Sequence, residues 1–272
     1  MDRQAPEWVE VTPEIAAEWL TKVGSQRSLS TPSVIQYATD MMNGRWGEDM
    51  MPLVFDVDGH LTNGQHRLSA VVQSGVTVGF WVRRDAPRES MRHMDTGRKR
   101  STGDQLQVAG VANSKALAAA AKVVLCYEML PDKVWSGSTT AVVTGAAVED
   151  EVLTHCDSYA WALGEVRPAR ARSSAMKLTP LSALAVLVMR YSSHAHLWNS
   201  FIQGIATGAN LSDDDVRLAV RSYFMRPDLK RWGGQQSHLL TLVKAWDKHV
   251  EDEPVRMFKT PRREELPMPK VK

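Results

Sequence analysis

The chain has 272 residues, 43% hydrophobic and 24% charged, which is ample material for a core and excludes a disordered polymer. With 33 Lys and Arg against 31 Asp and Glu the formal net charge is only +2, so any nucleic-acid contact has to come from a local basic patch. The only cysteines, Cys126 and Cys156, make no disulfide framework, no apolar run reaches the roughly 18 residues of a membrane span, and no signal peptide is read, so a soluble cytoplasmic protein without membrane contact is expected.

In chain order, Thr12 followed by Pro13, Glu14, Ile15, Ala16, Trp19 and Leu20 predicts a capped amphipathic helix with proline in its first turn. Thr31-Pro32 opens a second helix that runs through Val34, Ile35, Ala38 and Met41 to Gly44. Leu53 to Val57 reads as a strand and Asp58-Gly59 as a two-residue hairpin turn. Asn63-Gly64 then bends the chain into a helix from Gln65 to Gln73, which Gly75 stops. Val76 to Val82 alternates as a further strand, and Ser90 to Met94 reads as a short one.

Beyond Gly110 the periodicity becomes helical throughout. Helices are predicted over Ser114 to Met129, Thr139 to His155, Ser173 to Tyr191, Leu197 to Thr207, Ser212 to Phe224 and Gln235 to His249. Arg167 to Ser173 reads as a basic loop between helices, and Ser212 to Asp215 as a helix cap. Trp135, Trp161, Trp198, Trp232 and Trp246 fall mostly on apolar faces, as core residues do. The organisation expected is an α+β domain over residues 1–110, an all-α domain over 111–250 and an aperiodic, Pro-rich tail over 251–272, read as an arm or disordered segment.

Two segments carry candidate chemistry. Asn63, Gly64, Gln65, His66 and Arg67 sit at a helix start, where outward N–H groups and the positive dipole end would hold an anion, with Arg67 as a bidentate clamp. His66 titrates near neutrality and is a candidate acid, base or phosphate donor. Asp95, Thr96, Arg98 and Arg100 place a carboxylate, a hydroxyl and two cations just before a helix that Ser101 would cap with Asp104. Arg98 or Arg100 would meet a phosphate there and Asp95 a metal or a hydroxyl. Asp56 and Asp58 flank Val57 and would share a metal if they faced the same way, although the turn accounts equally well for Asp58. His60 and His66 have no zinc-like spacing with other ligands.

The run from Phe55 to Ala70 resembles the signature of the ParB/sulfiredoxin-like superfamily, in which Gly-x-x-Arg-x-x-Ala follows a short hairpin and opens a helix; Gly64 to Ala70 fill it in order. The resemblance extends from about Val11 to Leu106, including Gly44-Arg45-Trp46 and Met94 to Ser101. Gln65 stands where the repair enzymes of the superfamily carry a cysteine, so sulfinic-acid repair is not expected. Gln65-His66-Arg67 lacks the acid and second arginine of partition proteins and is closer to the kinase-like members. The resemblance implies a small mixed sheet with helices and a nucleotide (ATP, ADP or CTP) or DNA phosphate as ligand. It also implies His66, Arg67 and Asp95 as catalytic residues and Mg²⁺ as a metal, with Asp58 and Asp95 its candidate ligands. The reaction classes are NTP hydrolysis, kinase-like phosphoryl transfer and phosphodiester cleavage by a nuclease; the alternative is a non-catalytic DNA-binding or protein-interaction protein on the same fold. The helical part would complete the site or bind a protein partner. The layout also resembles phage or mobile-element proteins, which act in a bacterial host cytoplasm.

Overall fold

Thr12 takes extended backbone and its Oγ1 accepts the N–H of Ile15 at 3.3 Å, so α1 (Pro13–Leu20) starts at the expected cap, with Pro13 where a helix leaves its donors unused. The structure, a computed structural model, describes residues 5–23, 29–48, 51–87, 101–173, 176–226, 234–261 and 266–272. Among them are eleven α-helices and one four-stranded mixed sheet. The chain divides into two units, Met1–Lys99 with Ser136–Ala146, and Arg100–Trp135 with Ala147–Lys272.

In the first unit, β1 (Glu7–Val11), α1, α2 (Thr31–Met42), β2 (Leu53–Asp56), β3 (Leu61–Asn63), α3 (Gln65–Ser74) and β4 (Val78–Ala86) follow one another. The sheet order is β1-β4-β2-β3; β4 runs antiparallel to β1 and parallel to β2, while β2 and β3 form an antiparallel hairpin. A parallel pair needs a crossover, and α3 supplies it. Alternation puts Val78, Phe80 and Val82 of β4 with Val11, Leu53 and Phe55 on one face, where they pack in a core with Trp19, Val34, Ala38, Met41, Leu68 and Val71 of the three helices.

Three local features of this unit differ from expectation. The hairpin loop is longer than Asp58-Gly59 alone: Asp56 N–H donates to the His60 carbonyl and Gly59 N–H to the Asp56 carbonyl, both at 2.9 Å, with Gly59 at φ 76°. The cause is the Asp56 carboxylate, whose Oδ1 accepts the N–H groups of Asp58 and His60 at 2.9 Å each and so holds a wider turn. α2 is capped by Ser30 and not by Thr31. β4 starts two residues after Val76 and continues to Ala86.

In the second unit α4 (Thr102–Val108) begins with the expected capping box, Ser101 and Asp104 bonding reciprocally. α5 (Ser114–Met129) follows as read. The helix expected from Thr139 is broken into a 3-10 turn, Thr139–Val142, and α6 (Gly145–Thr154). Between them Thr144 Oγ1 donates to Asp40 Oδ1 of α2 at 2.5 Å, which ties the 136–146 excursion to the first unit.

α7 (Cys156–Arg172) corrects the basic-loop reading, because Arg167, Arg170 and Arg172 lie on a helix that continues through Pro168. Leu163, Val166 and Ala169 are buried at helical spacing, and that burial outweighs the lost hydrogen bond of the proline. α8 (Leu178–Tyr191) is the most buried helix, with Leu181, Leu184 and Leu187 inaccessible. α9 (Trp198–Thr207), α10 (Val216–Met225) and α11 (Gln235–Val250) complete the unit. α10 starts later than Ser212 because Asp215 is its cap, accepting the Arg217 N–H at 2.9 Å.

The C-terminal segment is docked where an arm was expected. Tyr127 OH donates to the Pro269 carbonyl at 2.7 Å and accepts the Val271 N–H at 3.1 Å, the Lys272 N–H donates to Asp247 Oδ1 at 3.1 Å, and Met268 and Val271 are buried. Two apolar side chains spaced three apart suffice to seat an aperiodic segment on a helical face, a pattern too sparse to register as periodicity. Trp198 and Trp246 are buried as expected, Trp135 and Trp161 only partly, and Trp232 lies outside the described residues. Both cysteines are free thiols.

Candidate functional site

Gly64 caps α3 at φ 116°, a conformation that glycine tolerates, and a Cβ there would lie 2.3 Å from Leu53 Cδ2. The following turn is drawn into the fold. Gln65 and Arg67 are 7% and 8% exposed. Arg67 donates from Nη1 to the Met51 carbonyl and from Nη2 to the Pro52 carbonyl at 3.1 Å, clasping the chain just ahead of β2. His66 Nε2 accepts the main-chain N–H of Ser30 at 2.8 Å, which requires that nitrogen to be unprotonated. Asn63 pairs with Val54 in the hairpin. The side chains expected to meet a phosphate therefore also tie β2, α2 and α3 together. Asp95, Thr96, Arg98 and Arg100, with the strand expected at Ser90 to Met94, lie outside the described residues.

A second polar constellation stands at the far end of the β2–β3 hairpin, in a cleft of about 500 Å³ lined by Trp19, Thr21, Lys22, Phe55, Asp56, Asp58, Gly59, His60, Arg84 and Asp85. Trp19 and Phe55 meet edge to face at 5.2 Å, and the Arg84 guanidinium lies 5.6 Å and 5.4 Å from their ring centres. β4 carries one extra residue against β2 here, since Val54 pairs with Arg83 and Asp56 with Ala86. The bulge contains Asp85 at φ 54°, a sparsely populated conformation for a residue with a side chain. Arg84 is held by Glu7 at 2.8 Å and Lys22 by Glu18 at 2.7 Å, both exposed pairs that a more highly charged ligand would displace.

Asp56, Asp58 and His60 each offer a ligand atom within 4.8 Å of the others. Asp56 is buried, whereas Asp58 and His60 are exposed; His60 Nδ1 stands 3.6 Å from Asp56 Oδ1. The structure brings Asp58, a candidate metal ligand from the sequence, together with Asp56 and with His60, whose sequence spacing shows no zinc pattern. A turn brings residues two and four apart to one side, which zinc-finger spacing rules do not register. Two carboxylates and an imidazole suit Mn²⁺ or another divalent transition ion better than Mg²⁺, which prefers an all-oxygen octahedron. Trp19, Lys22 and Arg84 were not singled out from sequence; the available signal was Arg83-Arg84-Asp85 breaking the alternation at the end of a strand.

Neither a scan of protein-family models nor searches of curated proteins and of solved structures finds a match to this chain. Among the described residues, no helix is long and apolar enough to cross a membrane.

Proposed function

We propose that the chain is a ParB/sulfiredoxin-like protein whose first unit binds a nucleotide or nucleic-acid phosphate with the help of a divalent cation. The observation that carries this reading is the hairpin cleft, which combines an apolar floor of Trp19 and Phe55, the cations Lys22 and Arg84, and the Asp56, Asp58 and His60 donor set. Each element has a part in such recognition. Guanidinium and ammonium groups take phosphate charge, the buried rings position the Arg84 guanidinium, and a metal bridges carboxylates to phosphate oxygens. The α3 start with its Gly-x-x-Arg-x-x-Ala signature supports the family reading. A cation on Asp56, Asp58 and His60 would supply Lewis-acid polarisation of a phosphoryl oxygen, the chemistry of phosphoryl transfer and of phosphodiester cleavage.

Calorimetric titration of the full chain with ATP, ADP, CTP and GTP, with and without Mg²⁺ or Mn²⁺, tests the reading. Saturable, metal-dependent binding that is lost in Asp58→Asn and in Arg84→Ala supports the cleft. Loss in a folded Arg67→Ala variant alone moves the phosphate to the α3 start. Salt-sensitive DNA binding that persists without nucleotide or metal identifies the non-catalytic alternative. Binding of neither ligand class defeats the proposal.

A further inference from the structure

The face of the sheet opposite the core carries a feature that phosphate binding does not use. On β1 and β4 the residues that alternate away from the core include Trp8, Glu10, Gly79 and Trp81. Trp8 and Trp81 are directly paired across the strands and meet edge to face at 5.3 Å, yet Trp8 keeps 44% of its surface exposed. The Trp8 ring covers Gly79, where a Cβ would come within 2.1 Å of Cζ2. Glycine at this position is what lets an exposed indole rest on the backbone.

Two carboxylates flank the pair. Glu10 Oε1 accepts the Trp8 indole N–H at 3.1 Å and Glu48 Oε1 that of Trp81 at 2.9 Å. Both glutamates are exposed, and neither has a Lys, Arg or His partner among the described residues, unlike Glu7 on the other side of the strand, which pairs with Arg84. Each indole is thus polarised by an anion, and the two carboxylates outnumber Arg83, the cation that β4 carries two residues beyond Trp81 on the same alternation. Such a surface attracts cations and repels phosphates. Among the described residues β1 is also an edge strand, with β4 on one side only, so an extended segment laid beside it would continue the alternation.

We propose that this face binds an extended, basic segment of a partner protein, whose arginine or lysine side chains lie over Trp8 and Trp81 between Glu10 and Glu48. The added strand would place cationic residues on the aromatic face and apolar residues toward the partly buried Val9, so the segment recognised alternates the two types.

The test is fluorescence anisotropy of the full chain with a labelled short synthetic peptide alternating arginine and valine, beside a version with glutamate for arginine. Saturable, salt-sensitive binding of the arginine peptide alone is expected. Removing the charges in a Glu10→Gln/Glu48→Gln variant should weaken it about tenfold. Gly79→Ala, which keeps both charges but lifts the Trp8 ring, should weaken it as well, provided circular dichroism shows the fold intact. Absence of binding, equal binding of both peptides, or affinity unchanged in the double glutamine variant overturns the proposal. So does displacement of the peptide by single-stranded DNA in a manner that depends on Trp8, which would assign the face to nucleic acid.

Discussion

His66 Nε2 accepts the Ser30 N–H at 2.8 Å, so the first turn of α3 secures the residue that caps α2. The bond lies near the surface, where water replaces a lost partner cheaply. His66→Ala is expected to cost about 0.5–1 kcal/mol in urea denaturation of the full chain.

Gly64 is constrained twice, by its φ of 116° and by the 2.3 Å approach that a Cβ would make to Leu53 Cδ2. Leu53 is fully buried and has little room to retreat. Gly64→Ala should therefore destabilise by about 2–4 kcal/mol, combining left-handed strain with overpacking. Gly59, also at positive φ but with nothing within 4 Å of its absent Cβ, should tolerate alanine for about 1 kcal/mol. Thermal unfolding of the two variants side by side checks the contrast.

Arg67 is 8% exposed and its guanidinium holds two carbonyls, those of Met51 and Pro52. Truncation to alanine removes both bonds and the buried guanidinium that clasps the chain ahead of β2, with an expected loss of about 1–3 kcal/mol. Arg67→Lys keeps the charge but not the fork, and should recover less than half of that. Denaturation midpoints of the three proteins decide the matter, and the same series controls any ligand titration that uses an Arg67 variant.

The parts of the fold legible in the sequence are those fixed by local chemistry. Thr12 with Pro13, Ser101 with Asp104, and Gly75 at φ 69° mark helix ends through bonds or conformations reaching only a few residues. What escaped depends on partners distant in the chain. α7 passes through Pro168 because its face is buried by other helices, and the 268–272 segment is ordered by Tyr127 and Asp247. The candidate cleft was half legible: Asp56 and Asp58 stand two apart on one turn, but Trp19 and Arg84 meet only through the pairing of β2 with β4. Arg67 illustrates the converse. Its motif was visible, whereas the carbonyls it holds, fifteen and sixteen residues earlier, were not.

Cys126 is buried in α5, and burial pushes its thiol up to about 11 from an ordinary value of 9.0. The neutral thiol is the form the fold favours. Its contribution to stability is complete below the unfolded value and is lost as pH rises through the folded one, that is between 9.0 and about 11. Native protein treated with iodoacetamide near neutral pH should be alkylated at Cys156, which is only partly buried, and become reactive at Cys126 only in denaturant. Equal labelling rates in the native state would contradict this burial.

His238 in the first turn of α11 is 6% exposed, its ring packs on Phe224 at 5.4 Å between centres, and its Nε2 has no hydrogen-bond partner among the described residues. Burial, with a smaller contribution from the Lys177 charge, lowers its pKa below the ordinary 6.5, so the folded chain holds the neutral ring. The unfolded chain binds a proton at higher pH than the folded one. The stability contributed by the neutral imidazole is therefore present above 6.5 and lost as pH falls below that value toward the folded pKa. His249, lowered mainly by burial and then by Arg217, acts in the same direction, so wild type alone cannot separate the two. His238→Leu removes one titrating group and the orphaned nitrogen while keeping an apolar side chain against Phe224. Its urea midpoint should match or exceed that of wild type at pH about 7.5 and exceed it by a wider margin at pH about 5. A margin that does not grow between the two pH values would mean that His238 is protonated equally in the folded and unfolded chains, and that its burial has no share in the acid sensitivity of the helical unit.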